Sequence, residues 1–188
     1  MTDNFDTKGL DQLPSGILFN VNLRYALSRP DWDTIRHYHY SKMNSRCESC
    51  GAENKPLHCH EQWSYLQVID TTNDTVTVTQ ELVKLVVLCE DCHALKHMGL
   101  VSVHVQQGMP ITPHIQHFLK LNPRCKEAGF WKAYENLQKR NSALAYLLST
   151  KWVVVISDGV ADTIKSLLGY DREAINHKLA TLVSRNKQ

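Results

Sequence analysis

Two Cys-x-x-Cys pairs, Cys47/Cys50 and Cys89/Cys92, constrain this chain more than any other feature. Four thiolates at that spacing close a tetrahedral zinc knuckle with no open position, and such a site folds a chain without doing chemistry. The intervening stretch, residues 51–88 and so 38 in number, reads as poor in apolar content of its own. Zinc is therefore the expected staple, and redox-active or merely buried thiols are the alternative. Between the pairs lies Leu57-His58-Cys59-His60-Glu61, and the second pair runs directly into His93 and then His97. These histidines are surplus to a four-sulfur zinc, so they raise the expectation of a second metal.

The chain has 188 residues, enough for one domain or a small domain with an appended one. A hydrophobic fraction of 43% supports a real core. The net charge of +2 gives no global basic field, so any nucleic-acid surface must be local. Cys59 and Cys125 stand apart from the paired cysteines, which argues against a disulfide framework. The opening Met1-Thr2-Asp3-Asn4-Phe5-Asp6 carries no basic start leading into an apolar signal region. No window approaches the roughly 18 apolar residues that span a bilayer. The expectation is a reducing, cytoplasmic setting with no membrane partner.

Three regions are expected. Residues 1–46 read as a loose lead-in, a strand over 17–23 and a helix from about 30 to 44, with Pro30 near its start and Trp32, Ile35 and His39 at helical spacing. Residues 47–99 read as strand, strand, helix: strand formers over 57–69 and 75–88, a turn at 70–74, and a short helix from Glu90 with Gly99 as its C-terminal cap. Gly51 suits a tight knuckle turn. After a boundary at Gly108-Met109-Pro110, residues 110–188 read as mostly helical. Thr112 is expected to cap a helix to about Asn122, and a longer helix covers 124–149 with a break at Gly129. Trp152–Ile156 is a short apolar strand, and one or two terminal helices follow, with Asp171 as a cap. At least three of Trp32, Trp63, Trp131 and Trp152 are expected in the core, with Cys59 facing it as a small hydrophobe. The fold class is α+β.

His93 and His97 are four apart on the expected helix and share one face, and His60 lies on the facing strand. Three imidazoles bind one divalent ion and leave positions for water and substrate. The alternatives are that His93 completes the knuckle or that these are surface histidines.

The run Cys-x-x-Cys-Gly, a strand ending in a histidine motif, then Leu88-Cys89-Glu90-Asp91-Cys92-His93-Ala94-Leu95-Lys96-His97, resembles the HNH, or ββα-metal, endonucleases over about residues 47–99. The resemblance implies a ββα-metal (HNH-like) core with a four-cysteine zinc knuckle, flanked by N-terminal and C-terminal helices. It also implies His60, His93 and His97 as ligands of a catalytic ion (Mg, Mn, Ni or Zn) beside the structural zinc. Where the family carries its general-base histidine this chain has Glu61, and where it carries an asparagine this chain has Lys84. His60-Glu61-Gln62-Trp63, with a tail over His117-Phe118-Leu119 to Arg140-Asn141-Ser142, also resembles an uncharacterised bacterial HNH-like subgroup with a His-Glu-x-Trp motif.

The function implied is metal-dependent hydrolysis of phosphodiester bonds in DNA, with RNA as a further substrate. Glu61 is the preferred base and His58, two residues from His60 and on the same strand face, the second candidate. Glu61 has the further options of a fourth metal ligand or an orienting partner of a histidine. Lys84 is a candidate for phosphate contact or transition-state charge. Arg46 and Lys96, with Arg24, Arg36 and Lys42 near the motif, are candidates for backbone-phosphate contact. The competing reading is a non-catalytic zinc-stapled module that binds nucleic acid or protein, and a three-histidine zinc hydrolase acting on another ester is a third. The C-terminal helices are expected to complete the core, form a homodimer surface or dock a protein partner.

Overall fold

The computed structural model describes residues 9–11, 20–70, 75–148 and 151–186. Among them are eight helices and one three-stranded sheet, an α+β chain. In chain order these are α1 (Leu23–Ala26), α2 (Arg29–Lys42), β1 (Leu57–Asp70), β2 (Thr75–Cys89), α3 (Glu90–Lys96), α4 (Met98–Gln106), α5 (Thr112–Leu121), α6 (Glu127–Leu148), β3 (Lys151–Ile156), α7 (Asp158–Leu168) and α8 (Arg172–Asn186).

β1 and β2 form a long antiparallel hairpin, and β3 adds parallel to β2 at Thr77–Leu82. The stretch between the cysteine pairs, expected to have little core of its own, is thus mostly this hairpin. Its apolar residues bury one face along Val78–Leu85, and near the second cysteine pair both faces are covered, with Val86 and Leu88 packed into the cysteine cluster. The register slips between Gln62 and Trp63: Gln62 faces Lys84 but Trp63 faces Leu82, leaving Val83 as the extra residue of a bulge. The slip keeps Leu82 and Leu85, three apart, on the same face as Trp63. That face carries the largest core, in which Trp63, Val78, Leu82, Leu85, Trp152, Val154 and Ile156 pack against residues of α1, α2, α7 and α8. Trp32, Trp63 and Trp152 are buried and Trp131 is exposed. Cys59 packs against the same core.

A second core joins α3 to α6 through Leu95, Met98, Val101, Ile115, Phe118, Phe130 and Leu137. It spans the turn at Gly108, whose φ of +95° suits a glycine. The residues after 110 therefore serve both cores, with α5 and α6 in the second and β3, α7 and α8 in the first.

α2 starts where Ser28 accepts the Asp31 N–H at 3.3 Å, and Pro30 needs no donor there. It buries Trp32 and Ile35. Its far end is tied to β1 by Tyr40, whose hydroxyl donates to the Leu57 carbonyl at 3.0 Å.

Several local expectations change. Of the strand expected over 17–23, residues 17–19 lie outside the described residues, and Leu23 instead opens α1. The cause is Asn22, whose side chain accepts the Tyr25 N–H at 3.0 Å and caps a helix. Gly99 does not cap α3. The helix stops at Lys96, His97 (φ −119°, ψ 45°) forms the corner, and Gly99 lies in α4. Thr112 is the first residue of α5 rather than its cap, which is Ile111. α6 runs through Gly129, which sits against Cys125 and breaks nothing. The turn expected at 70–74 lies outside the described residues from 71 onward. No helix among the described residues is long and apolar enough to cross a membrane.

Candidate metal centre

The first cysteine pair sits in a tight turn. The Cys47 N–H donates to the Ala52 carbonyl, and Gly51, at φ +72°, returns its N–H to the Cys47 carbonyl at 2.8 Å. Glu48 locks this turn onto the free edge of β2. Its N–H donates to the Val87 carbonyl at 2.8 Å, and its carboxylate accepts the Val87 N–H at 2.6 Å. The second pair comes from the end of β2 and the first turn of α3, so one hairpin edge carries all four thiols.

All six cysteines are free, and the Sγ atoms of Cys47, Cys50, Cys89 and Cys92 lie within 4.8 Å of one another. Cys50 and Cys89 approach to 3.6 Å. A tetrahedron with Zn–S bonds of about 2.3 Å has S···S edges of about 3.8 Å, so the cluster has the right size for zinc. Its electrostatics agree. Burial opposes ionisation of Cys47, but N–H groups of Cys89, Cys50 and Ser49 bring its pKa down to about 7. Burial, and then the charge on Cys47, push Cys92 far up. Four thiolates this close repel one another until a cation neutralises them. These four residues can hold a structural zinc.

On the other side of α3 the imidazoles gather. His60 comes from β1, and His93 and His97 from α3 and its C-terminal corner. Their ligand atoms also lie within 4.8 Å of one another. The Nε2 atoms of His93 and His97 are 3.0 Å apart. His60 is 8% exposed. Burial, reinforced by His97 and His93, drives its pKa down to about 2. Burial likewise lowers His93 to about 3 and depresses His97. At neutral pH all three rings are uncharged and keep a lone pair, the state a metal requires. The alternative in which His93 completes the knuckle does not fit, because the four sulfurs are already together and His93 turns toward His97. His58 joins the group, its ring stacked on His93 at 4.4 Å and 3°.

Glu61 does not. Strand alternation puts it on the opposite face from His58 and His60, with Cys59 and Trp63. There its Oε1 accepts the Leu23 N–H at 3.0 Å, and Oε2 is buried without a partner. Burial raises its pKa to about 7, although the N–H groups of Leu23 and Arg24 pull the other way. Its expected places as the preferred base, a metal ligand or a histidine's orienting partner are therefore corrected: the side chain points into the main core. Lys84 is exposed, faces Gln62 across the hairpin, and so lies on the same face as His60. With His39 and Lys42 it lines an open cavity at the edge of β2 beside α7.

Arg46 pairs with Glu53 at 2.9 Å, both exposed, and Arg36 is held by Asp33 at 2.7 Å. Lys96 ends α3 close enough for its charge to disfavour protonation of His60. Two residues near the site lie outside residues 47–99: Asp11, which carried no signal, and His117, which figured only as part of the tail. Asp11 donates its N–H to the Leu95 carbonyl and accepts the Met98 N–H, bracing the corner at His97, while its charge favours the protonated form of that ring. His117, on α5, places Nε2 at 3.1 Å from Cys92 Sγ. Both are far from the motif in sequence, and only the packing brings them near.

No family model, curated protein or solved structure matches the chain.

Proposed function

We propose that the chain is a metal-dependent endonuclease of the HNH type that hydrolyses phosphodiester bonds in DNA, with RNA as a further substrate. The observation that carries this reading is the convergence of His60, His93 and His97 on one point, within a strand–strand–helix unit whose helix starts at a four-cysteine cluster. On this reading β1, β2 and α3 form a ββα-metal core.

The three imidazoles would hold one divalent ion (Mg, Mn, Ni or Zn), separate from the structural zinc. Such an ion, when bound, polarises a phosphoryl oxygen and stabilises the leaving oxygen. The chain's own residues do the rest. His58, stacked on His93, is positioned to take a proton from the attacking water at a ring nitrogen. Lys84, on the same face, offers charge to the phosphate. Arg46 and Lys96 flank the site as contacts to the nucleic-acid backbone. Glu61 instead anchors α1 to β1.

One observation favours a second reading, a zinc-stapled module that binds nucleic acid or protein without cutting. The residue at the family's general-base position is turned into the core. Metal-dependent nicking of supercoiled plasmid decides between them. The expected result is nicking by the wild type that stops with chelator, falls by about 100-fold or more in His60→Ala and in His58→Ala, and persists in Glu61→Gln. Equal nicking by wild type and His60→Ala would remove the site. A wild type that binds DNA and never nicks under any of these metals would leave the binding module.

A further inference from the structure

The cysteine cluster has a polar neighbour on a different helix. His117 precedes Phe118, a fully buried residue of α5 that locks this helix into the second core. From there its Nε2 reaches to 3.1 Å from Cys92 Sγ. Cys47 draws backbone N–H groups, those of Cys89, Cys50 and Ser49, whereas Cys92 draws on side chains, among them those of Ser49 and His117. A metal-bound thiolate keeps lone pairs that accept N–H donors, and such partners fix the ligand and tune how tightly the ion is held.

We propose that His117 is a positioning residue of the zinc knuckle, donating its Nε2–H to the Cys92 thiolate and so tying zinc retention to the docking of α5. His93 is the next residue after Cys92, so the same bond steadies the start of α3 from the C-terminal side. The proposal rests on zinc in the knuckle and is independent of the nuclease reading.

The test is the rate at which the whole 188-residue chain, loaded with zinc, releases zinc to an excess of chromophoric chelator. His117→Phe keeps the ring volume and removes the donor, and His117→Gln supplies a donor at a similar reach. Release is expected to be roughly tenfold or more faster in His117→Phe, in line with the usual effect of losing such a partner, and near the wild-type rate in His117→Gln. Equal rates for wild type and His117→Phe overturn the assignment and leave the knuckle standing. A wild type that purifies without zinc overturns both. A second readout needs no variant: with cadmium replacing zinc, NMR should find a His117 ring N–H coupled to the metal through the sulfur. A freely exchanging ring proton with no such coupling overturns the hydrogen bond.

Discussion

Two ligand clusters share the short helix α3, and they differ in what they leave open. On one side four sulfurs close around a point and fill every tetrahedral position. On the other three neutral imidazoles converge, and on the proposed reading they would fill only part of an ion's shell. Cys92 and His93 are consecutive, so one backbone turn serves both. The knuckle is anchored by backbone hydrogen bonds, from Gly51 to Cys47 and between Glu48 and Val87. The triad is held differently: its rings are placed by β1 and α3, whose relative position the knuckle helps to set. The comparison teaches that a site with filled positions supplies stability, and that an adjacent site can then keep positions free for chemistry.

The sharpest way to break that comparison is to remove one ligand from each side. Cys92→Ala should abolish knuckle zinc and, with it, cooperative melting, since zinc contributes on the order of 10 kcal/mol in small zinc-folded domains. His60→Ala should keep the knuckle zinc, lose binding of the second ion and cost only about 1 kcal/mol of stability. Elemental analysis and thermal melts of the two variants check this, and equal metal loss or equal destabilisation would erase the distinction.

A smaller effect separates the two faces of β1. The folded chain raises the Glu61 pKa from 4.5 to about 7, so folding favours its protonated form. That contribution is fully present below about pH 4.5 and is lost as the pH rises through about 7. Glu61→Gln should therefore flatten this part of the pH–stability curve and be more stable than wild type at about pH 8, by up to about 3 kcal/mol. Urea melts on either side of the folded-state value, at about pH 5 and about pH 8, measure it. An unchanged slope would mean that the carboxyl is not held in the core as the Leu23 contact indicates.

The smallest effect concerns the flank. Arg46→Ala breaks an exposed pair with Glu53 and should change stability by less than about 0.5 kcal/mol. If Arg46 touches a phosphate, the salt dependence of DNA affinity should fall by about one unit of slope. An unaltered slope removes Arg46 from the interface.

Much of this was legible in the chain itself. The spacing of the two cysteine pairs pointed to a cluster of four thiols that can hold zinc, and Gly51 marked its turn. The period of His93 and His97 placed two rings on one face because a helix repeats about every 3.6 residues. Strand-forming residues marked β1 and β2, with alternation over Thr75–Thr79, and Pro30 marked the start of α2. Errors came where a local signal had a rival. Asn22 caps a helix in a stretch that reads as strand, and Gly99 lies inside α4 because the corner falls at His97. Glu61 read as a base from the resemblance, since it stands where the family carries its general-base histidine, although the alternation that placed Cys59 in the core applied to it as well.

What the sequence by itself determined is the set of candidate ligands and most of the elements that carry them, since spacing and periodicity are local and act along the chain. Only the tertiary structure decided which side chains meet. The bulge at Gln62/Trp63, the burial of Glu61 against Leu23, the stacking of His58 on His93 and the reach of His117 to Cys92 each depend on segments brought together by hydrophobic cores. Burial is set by what packs across from a residue, and no local pattern carries that information.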